Sequence, residues 1–590
     1  MLTVDRIRAA AGARTLGRHY KWTALFIATL GMLMATIDGS IVLISMPDIF
    51  RGVGIDPLQP GNSFYLLWMI LGFLVVTSVL VVSLGRLGDI FGRVRIYNLG
   101  FAVFTFFSLL LSITWMAGRA AGLWLIVMRI FQGLGAAMLM ANSAAILTDA
   151  FPPDERGFAL GINQGAAFSG TFIGLVLGGI LAPIDWRLIF LVSVPIGLLG
   201  TVWGYLALRE TGERHAAHID WPGNITFALG MVLLMVGITY GIEPYGGHAL
   251  GWTNPTVLAL IATGVLFLVT FCIVEVRVPE PMFRLQLFKI RAFTAGVFAS
   301  FLAALSRGGL MFMLVIWLQG IWLPRHGFAF ASTPLWAGIA MLPLTVGLLA
   351  AGPISGVLSD RYGARPFATG GMLATAGCFV LLELLPVDFP YWAFGTLLFV
   401  TGLALASFGA PNRTGVMNSL PAAHRGAGSG MNSTFQNSAQ VFSIGIFFTL
   451  ILVGLSSTLK TSLYHGLVAH GVPVATATRA AHLPPVSTLF AAFLGYNPIQ
   501  HLVGSGTLAQ LTPAQRADLL GHGFFPTLIT PAFRQGLHAA LDFAIVASLV
   551  GAAASWTRGG GRYVYAEDEA AEQAAAAGGP ALEPAVTGAS

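Results

Sequence analysis

The sequence predicts an all-α polytopic membrane protein with fourteen transmembrane helices, on three observations. Of 590 residues, 56% are hydrophobic and only 9% are charged, where a soluble chain carries about 25% charged residues. The apolar residues gather into fourteen long runs, most near the ~20 residues that carry a helix across a bilayer core. The Lys and Arg residues favour alternate sides of those runs.

The runs cover roughly 22–47, 62–84, 96–115, 121–149, 158–183, 187–208, 222–242, 256–275, 294–321, 335–358, 366–386, 390–411, 427–457 and 534–556. Only a helix satisfies its own backbone in lipid, so each is read as α. The 72 glycines fit this reading, because small residues let membrane helices approach closely. With the N-terminus inside, 21 of the 31 Lys and Arg fall on cytoplasmic segments and eight on outer ones. That bias places both termini in the cytoplasm and the chain in the cell (inner or plasma) membrane. The formal charge of +6 is a matter of placement, and no nucleic-acid partner is expected.

Residues 1–21 form a basic cytoplasmic segment without a cleavable signal. Residues 458–533 read as a long outer loop, whose short apolar patches such as Val486 to Leu494 are expected to lie on the outer face as amphipathic helices. The tail 557–590 is rich in Ala, Gly, Glu and Pro and is expected to be disordered. Cys272 and Cys378 sit in separate apolar runs and suggest neither a disulfide nor a metal site. The five loop histidines match no metal motif, so no metal and no cofactor are expected. There is no Walker loop, no nucleophile elbow and no HExxH helix, so an enzyme or an ATP-driven pump is not expected.

Two stretches mark an internal duplication. Gly85-Arg86-Leu87-Gly88-Asp89-Ile90-Phe91-Gly92-Arg93-Val94-Arg95 is a charged turn between the second and third runs. Gly356-Val357-Leu358-Ser359-Asp360-Arg361-Tyr362-Gly363-Ala364-Arg365 is a weaker copy between the tenth and eleventh. Gly88 and Gly92 permit the tight turn.

Asp38 and Arg129 stand out for depth. The first run travels outward and the fourth inward, so at ~1.5 Å per residue both residues lie ~12–14 Å below the outer face. Charges within a membrane usually pair or face a cavity. The pair is either a proton-coupling device or a structural ion pair. Arg307 lies near the middle of the ninth run with no acidic residue at its depth. It either lines a cavity and touches substrate or caps carbonyls. Gln132, Gln164 and Gln436 are further cavity candidates, with bonding between neighbouring helices as the alternative. His538 and Asp542 share a helix face and form either a proton relay or a capped helix end.

The turn at Gly85, Leu87, Asp89, Gly92 and Arg93 resembles the signature loop of the major facilitator superfamily, with Ile90 where a basic residue is usual. Ile37-Asp38-Gly39-Ser40 to Pro47 and Arg129-Ile130-Phe131-Gln132-Gly133 resemble the first- and fourth-helix motifs of its fourteen-helix drug:proton antiporters. Gly170-Thr171-Phe172-Ile173-Gly174-Leu175-Val176-Leu177-Gly178-Gly179 resembles their antiporter motif, with Leu175 where Pro is usual. The resemblance runs from about Lys21 to Trp556 and leaves out the long loop.

It implies the major facilitator fold. A six-helix bundle (22–208) is followed by a linker with an inserted helix pair (209–293), then by helices 9–13 (294–457) and the last helix (534–556). It also implies proton-coupled efflux by alternating access, the multidrug type, with a small-molecule substrate and protons as partners in the lipid bilayer. The expected cargo is an amphipathic drug, cationic or neutral. Asp38 and Arg129 would carry the proton. Gly85, Gly88, Asp89, Gly92 and Arg93 would form a gate, in which Asp89 contacts a helix of the other half. Asp360 and Arg361 would echo that gate. Gly170, Gly174, Gly178 and Gly179 would form the antiporter motif. A monomer is expected, with a periplasmic adaptor as a possible partner of the long loop. Uptake, metabolite or lipid transport on the same fold is the alternative. A membrane enzyme or scaffold working through its outer loop is a distant one.

Overall fold

The architecture is that of a computed structural model. It describes residues 19–559 apart from 57–58, 60, 153–154, 211–219, 249, 280, 282, 421–424 and 495–496, and describes only the backbone of 156–157, 360, 425–426 and 501. The N-terminal segment up to 18 and the tail from 560 therefore lie outside the described residues, as does the side chain of Asp360.

Fourteen helices are long and apolar enough to cross a membrane. They are α1 Tyr20–Val53, α2 Ser63–Phe91, α3 Arg93–Ser112, α4 Gly118–Ala150, α5 Arg156–Leu181, α6 Leu188–Ala207, α7 Trp221–Gly241 and α8 Pro255–Arg277. They continue with α9 Arg291–Arg325, α10 (Thr333–Ala340 and Leu342–Tyr362), α11 Ala364–Leu384, α12 Tyr391–Asn418, α13 Arg425–Ala469 and α14 Phe524–Trp556. A π-helical turn, Leu318–Trp322, interrupts α9.

Helices α1–α6 pack into one bundle, with α1 on α5 and α4 against α2 and α3. Helices α9–α14 pack into a second, with α12 against α10 and α11 and α13 against α9 and α14. The duplication is visible in the backbone. Gly92 ends α2 at φ +111°, and its N–H donates to the Gly88 carbonyl at 2.8 Å. Gly363 ends α10 at φ +88°, and its N–H donates to the Ser359 carbonyl at 2.8 Å. Each turn needs a positive φ that only glycine adopts cheaply.

The inserted pair leans on the first bundle through polar contacts. Trp68 Nε1 donates to Thr239 Oγ1 at 3.2 Å. Ser83 donates to Asn224, Ser63 donates to Glu243, and Arg86 donates to the Pro281 carbonyl in the following linker. Its contact with α13 is apolar, with Ile238 over Gly445. Glu243 lies just beyond α7. Burial pushes its carboxyl above the ordinary 4.5, and the Ser63 hydroxyl and Gly61 N–H pull it part of the way back.

The long loop differs from expectation in two respects. First, α13 runs on to Ala469 and α14 starts at Phe524, so the connection is shorter than 458–533. Leu459, Leu463 and Leu467 recur every four residues and are all buried. That stripe sustains a helix on an amphipathic face that overall hydropathy does not register. Second, the helix Pro485–Phe493 does not lie on the surface, because all nine of its residues are buried. Phe490 stacks on Phe448 of α13 at 5.0 Å, and Phe493 sits edge-on to Phe312 of α9 at 6.3 Å. The segment carries no charged residue and so has no face to turn to water.

Candidate transport site

Asp38 on α1 and Arg129 on α4 meet in the interior, at 0% and 1% side-chain exposure. The guanidinium Nη1 donates to Asp38 Oδ2 and, at 2.8 Å, to Gln132 Oε1. Arg129 Nε donates to the Met69 carbonyl of α2 at 3.3 Å, and the guanidinium lies 4.3 Å from the Phe73 ring centroid. Gln132 Nε2 donates to Asp38 Oδ1 at 2.9 Å and to Ser108 Oγ of α3 at 2.8 Å. Each carboxylate oxygen thus has a donor, and four helices of one bundle meet at the pair. A buried ion pair survives only with such geometry, since removing two charges from water is expensive. Gln132 is fully buried in this network, where it bonds neighbouring helices. Its amide is drawn inward because both ends find charged or hydroxyl partners.

The α5 glycines make two seams. Built as alanine, Gly170 would place its Cβ 2.9 Å from the Leu33 carbonyl oxygen, Gly174 2.4 Å from that of Ile37 and Gly178 2.9 Å from that of Ile41. These three seat α5 on α1. Gly179 faces the other bundle, where its Cβ would lie 2.3 Å from Leu335 Cα of α10. Reciprocally, a Cβ on Gly338 of α10 would meet the Leu175 carbonyl oxygen at 3.0 Å. Gln319, in the π turn of α9, donates to the Ile44 carbonyl of α1 at 3.1 Å. The two bundles are therefore pressed together at the end that carries the long connection. Toward the opposite end, a Cβ on Gly161 or Gly165 of α5 would meet nothing within 4 Å.

The cleft on that open side holds Gln164, to which Arg413 Nη1 of α12 donates at 2.9 Å across the two bundles. Arg413 is solvent-exposed although it lies inside a spanning helix. By hydropathy it falls past the end of the twelfth run, where it counts as a loop anchor. Helix α12 continues to Asn418 because Asn412 is satisfied sideways, donating to the Gly296 carbonyl at 3.1 Å and Ser300 Oγ at 2.7 Å. Arg307 of α9 is half-buried and has no hydrogen bond or acidic partner among the described residues. Among the described residues no carbonyl accepts from it, as a capping role would need. Gln436 on α13 is half-buried.

The signature turn is cross-braced within its own bundle. Arg93 donates to Asp89 at 2.8 Å and to both oxygens of Asp149 of α4 at 2.8 Å. A Cβ on Gly88 would lie 1.9 Å from Asn142 Oδ1, so α2 and α4 close tightly here. Asp89 is held by Arg93, and among the described residues no hydrogen bond or ion pair joins it to the second bundle. At 2.8 Å the Arg93 guanidinium is a close, opposite charge for it. Arg361, on the second turn, is exposed.

His538 also departs from the expected pair. Its Nδ1 lies 2.9 Å from Glu383 Oε1 of α11, while Asp542 is exposed. Glu383 ends an apolar run and carries no motif, so sequence spacing did not single it out.

The chain matches the family model described as Major Facilitator Superfamily over residues 28–223 and 220–444. It is 30% identical over 432 residues to the riboflavin transporter RibZ of Clostridioides difficile, covering 72% of this chain and 87% of that protein. It is 28% identical to the puromycin resistance protein pur8 of Streptomyces alboniger, covering 80% and 88%. It is 27% identical to the tetracenomycin C resistance and export protein of Streptomyces glaucescens, covering 71% and 73%. Among solved structures it resembles a bacterial homologue of the lysosomal transporter Spinster in an inward-facing, unoccupied conformation. The TM-score is 0.53 at 15% identity, covering 92% of this chain and 98% of that one, which speaks to fold alone. The chain is a membrane transporter that belongs to the major facilitator superfamily.

Proposed function

We propose that the protein is a proton-coupled antiporter that exports amphipathic drug-like compounds by alternating access. The observation that carries this reading is the buried Asp38–Arg129 pair. A proton arriving on Asp38 cancels the attraction to Arg129 and leaves the guanidinium to Gln132 and the Met69 carbonyl. Asp38 lies on α1 below Ile44, whose carbonyl holds Gln319 of the second bundle. The same helix carries the α5 glycine seam, so a change at Asp38 sits on the element that joins both bundles at the closed end. Coupling needs only that protonation favour one facing state and cargo the other. In this reading the open end is cytoplasmic, both termini lie there, and the structure is the state that loads cargo. The names of the puromycin and tetracenomycin C relatives support the export direction.

A second reading, transport of a metabolite on the same machinery, is favoured by the relative named a riboflavin transporter. Everted membrane vesicles energised to an acid interior separate the two. Export predicts uphill dye accumulation that collapses with the pH gradient and is lost in Asp38→Asn. Accumulation that persists in Asp38→Asn rejects the coupling role, and movement only down the dye gradient rejects antiport.

A further inference from the structure

The second bundle places two arginines, Arg307 and Arg413, between the bundles with no ion pair to either among the described residues. Over its most apolar stretch α9 is 83% buried, the highest value among the spans. An accessible residue in the middle of such a helix faces internal space and not lipid. Arg307 is that residue, two turns beyond Ser300 on the face that Asn412 fixes against α12. Arg413 follows Asn412 and bridges to Gln164 on the far wall. Arg307 sits about 24 Å along α9 from its open end and Arg413 about 8 Å along α12 from its own, at ~1.5 Å per residue. One is deep and the other is near the mouth. Arg129 does not add to this charge, because Asp38 neutralises it.

A guanidinium stays charged at every accessible pH. At membrane depth, without a partner, it is costly. A cationic cargo would raise that cost, whereas a carboxylate, sulfonate or phosphate would remove it through charge-assisted, bidentate hydrogen bonds.

Resting on the transport reading above, we infer that the cleft takes amphipathic anions: the acidic group of the cargo passes Arg413 near the mouth and docks on Arg307 at the deep site. This revises the cationic or neutral cargo expected from the sequence.

The test uses the full chain in nanodiscs with fluorescein, an anion at neutral pH, and rhodamine 123, a cation on the same xanthene frame. Fluorescein is expected to bind at least ~10-fold more tightly than rhodamine 123. Arg307→Gln should weaken it ~10- to 100-fold, the range of a charged hydrogen bond, while Arg307→Lys retains part of the affinity. Arg413→Gln should mainly slow fluorescein association and flatten its salt dependence. The ligand-free Arg307→Gln protein should melt no lower than wild type, because it has lost an unpaired charge. Equal or tighter binding of rhodamine 123, or fluorescein affinity within twofold of wild type in Arg307→Gln, overturns the inference. If the Arg307 variants do not fold, the wild-type comparison of the two dyes decides. Vesicle transport keeps the two claims apart. Proton-driven rhodamine 123 export without fluorescein binding sinks the anion site and leaves export standing. Arg307-dependent fluorescein binding without transport does the reverse.

Discussion

The two bundles share a fold and differ in how they treat charge. In the first, Asp38, Arg129, Gln132 and Ser108 form a closed set in which the carboxylate and the guanidinium are both answered. In the second, Arg413 meets only the Gln164 amide, and Arg307 has no hydrogen bond among the described residues. Duplication copied the backbone, down to the 2.8 Å glycine caps at Gly92 and Gly363, but not the electrostatics. The lesson is that one half closes its buried charges on each other, while the other leaves Arg307 without a hydrogen bond or acidic partner among the described residues.

The largest expected effect breaks the closed set. Arg129→Met leaves Asp38 buried without its cation and should cost about 3–5 kcal/mol. The Asp38→Asn, Arg129→Met double variant should recover most of that. Thermal unfolding of both, and of Asp38→Asn alone, in detergent checks it, and additive losses would show that the two residues do not act as a pair.

Next comes the seam that lets the first bundle move as a unit. Gly174→Leu drives a side chain into the Ile37 carbonyl and should cost about 1–3 kcal/mol or more. Gly161→Ala, on the same helix but in open space, should fall within about 0.5 kcal/mol of wild type. Similar melting temperatures for both would contradict the packing described for α1 and α5.

The paired turns sharpen the comparison further. Gly92→Ala and Gly363→Ala each force a side chain into positive φ, at about 1–2 kcal/mol. Gly92 should lose more, since its Cβ would also meet Glu210 Oε2 at 2.5 Å while that of Gly363 meets nothing within 4 Å. Equal losses would make the two turns equivalent in packing as well as in backbone.

The smallest effect concerns the inserted pair. The Glu243 carboxyl is raised above its ordinary 4.5 in the folded protein. Its contribution is therefore complete below that value and is lost as pH rises through the folded value. Glu243→Gln removes this titration. Its melting temperature should fall less than that of wild type between acid and neutral pH, by an amount worth under about 1 kcal/mol. Parallel pH curves would mean that Glu243 titrates as an exposed side chain does.

Much was legible in the chain alone, for definite reasons. Apolar length reports a spanning helix because lipid offers the backbone no alternative partner. Fourteen spans, the duplicated turn and the common depth of Asp38 and Arg129 follow from that rule and a constant helical rise. The α5 glycines were visible as a pattern, although the split of Gly170, Gly174 and Gly178 toward α1 from Gly179 toward α10 was not.

Only the tertiary structure decided who answers whom. Hydropathy averages over all faces of a helix, so it ended α13 before the Leu459, Leu463 and Leu467 stripe and α12 before Arg413. It also laid Pro485–Phe493 on a surface when the segment plugs the core. Spacing along one helix cannot show a partner on another. Spacing therefore named no partner for Gln132, which bonds Asp38, and set His538 beside Asp542 on one helix face, whereas its Nδ1 meets Glu383. The sequence by itself determined how many times the chain crosses and where its charges lie in depth, since both depend on one helix at a time. Which charges are neutralised, and so what charge the cleft offers a ligand, depends on side chains converging from several helices, and only the packed structure holds that information.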